Sequence, residues 1–585
     1  MCGIAGYIGD NQASLEIREM LERLDYRGYD SAGIAVINGK LTLSKDIGKI
    51  NQVNIPFAQI KGKVGIGHTR WATHGEVSVA NAHPHLDCSG KLAIVHNGII
   101  ENYLELKSKL DGHNFVSDTD SEVIAHLIEE NIAKGFDYAF CIAIKQLVGS
   151  FAIVACHSDY PDVLLVARND SPLLIGISKY GNYVTSDIEA LNGNVDRLID
   201  CVDTRYYIVR KDKVTVSVDN ASQWQYDTVD GIKVDHSTIQ TSKNGYPHFM
   251  AKEIYEQPLS FNRVLDQDRS RINGVAMDIL RSSNVIITAC GTSRYASIVG
   301  RYLISKLAHK FTEVVVGSEL HYFNDSFDNR TLLIAVSQSG ETADVLQGVK
   351  LAKSAGCKVI SIINKPYSLL ERVSDVTLFM RCGTEVAVAS TKAFTNELAL
   401  FYLIAFAMSN QLELGIKELE TIPAKIDECL QSNQVNKLSN ILRNKEHLYF
   451  IGKGINFAVA GECALKLKEV SYLHAESMSA GELKHGTLSL IEHGTPVVAL
   501  CPNDYTYKET ISNLYEAKAR GALIIGISDK DNQVFDHWLK IPEVRDIYYP
   551  LVCVIIGQLL AYYTAVNKGL DPDKPRNLAK SVTVK

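Results

Sequence analysis

The sequence has no cysteine pair spaced as CxxC, no histidine set beside its cysteines at zinc-ligand spacing, and no compositionally biased tract. Its twelve cysteines are scattered over 585 residues, the usage of reduced thiols in a cytoplasmic compartment and not of a disulfide scaffold. No metal and no cofactor are expected. No block of Lys and Arg offsets the formal charge of -7, which argues against nucleic acid as a partner and leaves room for a local basic pocket for a small anion. Met1-Cys-Gly-Ile-Ala-Gly6 has no basic region ahead of its short apolar run, so a signal peptide is not expected. The most lipid-like stretch, Leu551 to Val566, contains Gln558 and falls short of the roughly 20 residues of a spanning helix. It reads as a buried helix, with no membrane partner.

What is present is ordinary globular material, 46% hydrophobic and 22% charged. At this length three or four domains are expected, because single cores stop growing near roughly 250–300 residues. Residues 2–238 carry short alternating or apolar runs such as Lys91–His96 and Ser150–Ala155. These read as strands, with amphipathic helices between them, for example Ser121 to Ala133. A polar stretch from Asp235 to Gly245 opens a linker, placed at 239–264. Beyond it, apolar strands alternate with long helical patterns, the texture of parallel α/β units.

The second half repeats itself. Val285-Ile-Ile-Thr-Ala-Cys-Gly291 is echoed by Leu448-Tyr-Phe-Ile-Gly-Lys-Gly454, and Thr331–Val336 by Thr495–Leu500. The offsets agree, so a duplicated doubly wound subdomain is expected, at 265–420 and 435–570, followed by a tail at 571–585. The loops differ: Ser337-Gln-Ser-Gly-Glu-Thr342 stands where the second copy has Cys501-Pro-Asn-Asp-Tyr-Thr506. A hydroxyl-rich turn opening a helix offers hydroxyls and free N–H groups to a phosphate, or simply caps the helix. One copy with such a loop and one without implies divided labour.

Cys2 follows the initiator Met. Once Met1 is removed, the α-amine, with a pKa of roughly 7.7–8.0, can serve as base for the thiol of the same residue. Met1–Gly6, Tyr26-Arg-Gly-Tyr-Asp-Ser-Ala-Gly33, Gly67-His-Thr-Arg-Trp-Ala-Thr-His-Gly75 and His96-Asn-Gly98 together resemble the signature of class II glutamine amidotransferases. The resemblance implies an α+β N-terminal nucleophile fold, an αββα sandwich, with Cys2 attacking the glutamine amide. It further implies Arg70 on the substrate carboxylate, Asp120 on its ammonium, and Asn97 with the Gly98 N–H as oxyanion hole. Trp71, Thr73 and His74 would line the pocket or its gate. One of Asp118 and Asp120 is also expected to cap the helix that follows. His68, His74, His83 and His85 read mostly as satisfied core or loop histidines.

Ser337–Thr342 after a strand resembles the sugar isomerase (SIS) domain, with Cys290-Gly-Thr-Ser293 and Val388-Ala-Ser-Thr-Lys392 where that family makes further contacts. By that resemblance Thr292, Ser293, Ser337, Gln338, Ser339, Thr342, Val388 and Ser390 bind a sugar phosphate. In the second copy Lys466 and Glu469 are three apart and share a helix face, which alone could be a surface ion pair of about 0.3–0.5 kcal/mol. Leu467–Glu476, Gly481-Glu-Leu-Lys-His-Gly486 and Asp573–Lys585 resemble the glutamine–fructose-6-phosphate amidotransferase family over essentially the whole chain. That resemblance implies glutamine and fructose 6-phosphate as substrates. Glu469 would move a proton between C1 and C2, assisted by Lys466; Lys580 would form a Schiff base with the open-chain sugar. His485 would open the ring from the other subunit of a homodimer. A lysine five residues from the end would otherwise be a solvated tail charge.

Other acceptors for glutaminase ammonia would call for a pyrophosphate- or ATP-binding loop, and no GxxxxGK[ST] element occurs. A sugar-phosphate sensor built on SIS domains would leave Cys2, Glu469 and Lys580 without a task.

Overall fold

The computed structural model describes residues 2–71, 74–191, 193–218, 225–233 and 242–582. The chain divides into two compact units, Met1–Thr241 with Ser581–Lys585, and Ser242–Lys580.

The first unit stacks two antiparallel sheets, of eight and seven strands among the described residues. In the first sheet Gly3–Gly9 pairs with Val64–Arg70, which pairs with Ser31–Asn38. In the second, Leu92–Ile100 pairs with Gly149–His157, longer versions of two strands expected from their apolar runs. Period-two alternation sorts the side chains. Ala93 and Val95 enter the layer between the sheets with Ile4, Ile66 and Val154. Leu92 and Ile94 face the other way, toward Ile124, Ile128 and Phe140 of helices Glu122–Glu129 and Phe136–Ile144. Helix Ala13–Leu24 covers the first sheet, close enough that a Cβ at Gly67 would lie 2.4 Å from Ile17 Cγ2. These are the αββα layers expected.

The second unit contains two five-stranded parallel sheets with one strand order. Each places its second strand at the edge, then the first, third, fourth and fifth. The first sheet runs Glu313–Val316, Asn284–Ala289, Thr331–Ser337, Lys358–Ile363, Val376–Phe379; the second runs His474–Ser479, His447–Gly452, Pro496–Leu500, Leu523–Ser528, His537–Lys540. The duplication read from the offsets is thus a duplication of topology. Helices Gly291–Ala308, Lys392–Met408, Ile455–Ser471 and Tyr549–Asn567 pack between them. Their apolar faces merge with both sheets into one core that holds Ile287, Ile334, Phe401, Phe450, Val498 and Leu559.

The helix over 549–567 is buried along its length, as its composition required. Its buried amide is paired: Gln558 accepts from Gln257 Nε2 at 2.7 Å and donates to Thr391 O at 3.1 Å. The expected linker is shorter than 239–264, because Phe249–Tyr255 and Gln257–Leu265 are helices whose Met250, Ile254, Phe261 and Val264 enter the shared core. Buried charges, Lys252 and Glu253, hid that apolar periodicity. Nor is the segment from 571 a loose tail: Asp573 caps the first of these helices, accepting from Phe249 N and Met250 N at 2.9 and 2.8 Å.

The shared core leaves no room at its helix crossings. A Cβ on Gly300 would stand 2.5 Å from the Phe401 ring. Gly300→Ala is therefore expected to cost about 1–3 kcal/mol through overpacking, seen by calorimetry as a lower thermal midpoint that Phe401→Leu partly restores. An unchanged midpoint would contradict this packing.

Candidate active sites

In the first unit the strand Gly3–Gly9 delivers Cys2 to the end of Val64–Arg70. The Trp71 N–H donates to Cys2 Sγ at 3.2 Å. Asn97 joins them from the neighbouring sheet: its Nδ2 donates to Cys2 O at 3.0 Å while its Oδ1 lies 2.9 Å from His68 Nε2. Gly98 has φ +123°, and a Cβ there would lie 2.0 Å from Ser150 O, so only glycine fits. Trp71 packs edge-on against Tyr29, ring centroids 5.3 Å apart.

Arg70 is buried, and its guanidinium donates to the carbonyls of Glu76, His74 and Gly75 at 3.2, 2.5 and 3.1 Å. Burial lowers its pKa, with the Cys2 and Asp30 charges opposing. It is thus positioned by the loop it would have to share with an incoming carboxylate. His74 packs near Tyr103; Thr73 lies outside the described residues. Asp120 is buried and accepts from Ile100 N at 2.7 Å and Ser121 Oγ at 3.3 Å. The expected cap is corrected here: the helix begins after Ser121, which makes no side-chain cap bond, because Asp120 is turned toward the strand end that carries Asn97 and Gly98.

Behind these residues sit neutral imidazoles. His68, His83 and His85 are buried, with ring centroids 4.2 and 4.4 Å apart. Burial pushes His68 and His85 down to about 3 and His83 well below its ordinary value.

In the second unit the hydroxyl-rich loop follows strand Thr331–Ser337, and Cys290–Ser293 follows the adjacent strand Asn284–Ala289. These two strands meet where the order reverses, the crevice in which open α/β sheets hold ligands. Ser337 Oγ lies 2.9 Å from Thr342 Oγ1 and accepts from Gly340 N at 3.1 Å; Ser339 Oγ accepts from Glu341 N at 3.2 Å. Gly340 has φ +67°, with Ser368 Oγ 2.1 Å from where a Cβ would be. Gln338 is buried and its Nε2 has no hydrogen-bond partner.

Lys466 and Glu469 are not a surface pair. The Lys466 side chain is 1% exposed, with Nζ 2.6 Å from Glu469, 3.5 Å from Glu462 and donating to Thr292 Oγ1 at 2.9 Å. Burial pushes Glu462 up to about 8, against the pull of Lys466. Lys466 is held charged in spite of burial, its pKa raised by Glu462 and Glu469. Of the two acids beside it, Glu469 is the one open to solvent, at 20% against 0%. Ser293 donates to buried Glu397 at 2.6 Å.

Lys580 is also buried, ion-paired with Glu385 at 2.6 Å and donating to Ser390 Oγ at 3.1 Å. Burial raises Glu385, but Lys580 and the Thr391 and Ala393 N–H groups win and hold it down to about 2. Val388 N donates to Asp573 O at 3.1 Å, so residues 385–391 clasp the C-terminal segment. His485 is exposed on the short turn Glu482–His485. Sequence reasoning missed Glu385 and Glu397. The only signal was an acid set inside an otherwise apolar or small-residue run.

Comparison with known proteins assigns the chain. A model of the SIS domain matches residues 278–407 and 441–568, and one of a glutamine amidotransferase domain matches 68–193. Glutamine–fructose-6-phosphate aminotransferases (isomerizing) of Thermococcus kodakarensis and Pyrococcus horikoshii are 44% and 45% identical, over 100% of this chain and of each relative. The chain belongs to this family. The second unit is similar in structure to the C-terminal domain of glucosamine-fructose-6-phosphate aminotransferase from Francisella tularensis, with TM-score 0.54 and 36% identity over 57% of this chain and 100% of that one. Within the family frame, the buried lysines 466 and 580 and the acids beside them belong to the sugar-handling unit, and Cys2, Asn97 and Asp120 to the glutamine-handling unit.

The neutral histidine cluster makes a pH prediction for the first unit. In the unfolded chain each imidazole takes a proton near about 6.5; in the fold His68 and His85 do so only near 3. The stability tied to their neutrality is complete above pH 6.5 and is lost as pH falls toward 3, at up to about 1.4 kcal/mol per pH unit for each ring. Thermal midpoints across that window should fall less steeply in His85→Gln than in the parent chain. Parallel profiles would contradict the assignment.

Proposed function

We propose that this chain converts D-fructose 6-phosphate and L-glutamine to D-glucosamine 6-phosphate and L-glutamate, the first step of hexosamine synthesis. Full-length kinship with isomerizing aminotransferases of that substrate pair carries the reading. The domain limits that go with it are 2–238 for the glutaminase, 265–420 and 435–570 for the two SIS halves, and 571–585 for the C-terminal segment. The enzyme is cytoplasmic and works as a homodimer.

Cys2 Sγ attacks the glutamine amide, with its own α-amine as base once Met1 is removed. Asn97 Nδ2 and the Gly98 N–H take the developing oxyanion. Arg70 holds the substrate carboxylate, Asp120 the ammonium, and Trp71, Thr73 and His74 close the pocket. Ammonia released there passes within the protein to the sugar, since free ammonia is mostly protonated at neutral pH and not nucleophilic; Trp71 serves as its gate.

Ser337, Gln338, Ser339 and Thr342 bind the phosphate, and Thr292, Ser293, Val388 and Ser390 complete the sugar site. Lys580 forms a Schiff base with the open-chain ketose when ammonia is absent. For this it must shed a proton and leave its ion pair with Glu385, which at 2.6 Å holds the ammonium charged. Glu469 moves the proton between C1 and C2, which needs one carboxylate reaching both carbons. Lys466, charged and bonded to Thr292, fixes Glu469 and assists the transfer. His485 opens the sugar ring, and its exposed position in one chain is consistent with service in a second copy.

Purified chain given both substrates should form glutamate and glucosamine 6-phosphate in step, and Cys2→Ala should lose both while still binding fructose 6-phosphate. Glutamate without amino sugar would overturn the proposed acceptor.

A further inference from the structure

The amidotransferase unit carries a second constellation of donors that the reaction does not use. Cys88 stands in the turn between strands His85–Leu86 and Leu92–Ile100, and His113 follows helix Tyr103–Lys107. His126 and Glu129 lie one turn apart on helix Glu122–Glu129. One ligand atom from each lies within 4.8 Å of all the others.

The donor atoms are grouped closely. Cys88 Sγ is 3.5 Å from His113 Nδ1 and 3.6 Å from His126 Nδ1. The two Nδ1 atoms are 3.2 Å apart, and Glu129 Oε2 is 2.9 Å from the first and 3.0 Å from the second. Zinc bound tetrahedrally at its usual nitrogen, oxygen and sulfur distances spaces its ligands about 3.3–3.6 Å apart. The sulfur–nitrogen pairs already stand at that spacing, and the nitrogen–oxygen pairs, now at hydrogen-bond distance, would open by a few tenths of an ångström to admit an ion.

In the absence of an ion the cluster is held by hydrogen bonds: His113 Nε2 lies 2.8 Å from Glu130 Oε1, which leaves its Nδ1 facing Glu129 Oε2 and the second imidazole nitrogen. Behind His126 the buried Glu122 Oε1 stands 3.8 Å from Nε2, too far for a hydrogen bond. A carboxylate behind an imidazole, as Glu130 is behind His113, is the usual outer shell of a metal-bound histidine. Around the sulfur and the carboxylate, Asn114 N donates to Cys88 Sγ at 3.4 Å and Cys88 N to Glu129 Oε2 at 3.1 Å.

We propose that Cys88, His113, His126 and Glu129 form a structural site for one divalent metal of the zinc type. Thiolate and imidazole donors select zinc or cobalt over magnesium or calcium. On binding, the Cys88 thiol gives its proton to water; thiolate and carboxylate then neutralise the 2+ ion. Four protein ligands leave no position for substrate, which marks the site as structural. It clasps the 87–91 turn to the helix whose leading edge carries Asp120, and so braces the glutamine pocket from outside. The spacing hid it, because the ligands are 25, 13 and 3 residues apart along the chain, unlike a finger or ribbon pattern.

The test uses the full chain, stripped with chelator and dialysed against zinc or cobalt. One equivalent of zinc per chain is expected by mass spectrometry. The cobalt form should show a thiolate-to-cobalt charge-transfer band in the near ultraviolet and intense visible bands of tetrahedral cobalt. Cys88→Ser should lose the charge-transfer band, and Cys88→Ser/His113→Gln should bind at least tenfold less zinc. Chelator should lower the thermal midpoint of the parent chain and leave that of the double variant unmoved. Parent chain that takes up no stoichiometric zinc, or whose cobalt spectrum lacks the charge-transfer band, would overturn the site.

Discussion

The sugar-handling unit depends on an ammonium group kept out of water. Lys466 is buried, and its charge is tolerable only because Glu469 and Glu462 surround it and Thr292 accepts from it. A buried cation without such partners would cost several kcal/mol. Thr292 belongs to the first α/β half and Lys466 to the second. The duplicated halves therefore share more than an apolar core; they share one ionic network, and the core helices around it hold that network still. Lys580 repeats the arrangement with Glu385, so both lysines are oriented by a carboxylate before any substrate arrives.

Duplication explains how this comes about. Two copies with one strand order each bring loops to the ends of their strands, and a merged helical core fixes those loops relative to each other within the unit. One copy kept the Ser337–Thr342 turn with its hydroxyls and the unpartnered Gln338 amide. The other carries the buried Lys466 and its partner Glu469 on helix Ile455–Ser471.

Much of this was legible in the sequence. Parallel strands buried on both faces read as apolar runs, and their repeat at constant offset exposed the duplication. The glutaminase motifs are local, so strand ends and tight glycines such as Gly98 could be found without tertiary knowledge. What was not legible depends on partners distant in the chain. Glu385 meets Lys580 across 195 residues, and nothing near either residue announces the other. Asp120 looked like a cap because its neighbours in sequence form a helix; its partner is the Ile100 N–H of a strand. The helices over 249–265 looked like a linker because the charged pair Lys252 and Glu253 masked their apolar faces; Glu253 accepts from the Val386 and Ala387 N–H groups far along the chain.

The central claim is that the two α/β halves divide the sugar chemistry, one holding the phosphate and the other moving the proton. Calorimetric binding of fructose 6-phosphate to Ser339→Ala and to Glu469→Gln, with turnover measured on the same samples, tests it most directly. The account predicts that Ser339→Ala weakens binding at least tenfold, and that Glu469→Gln binds within a few-fold of the parent while turnover falls by about 10²–10⁴. Equal loss of binding in both variants, or near-normal turnover in Glu469→Gln, would contradict it.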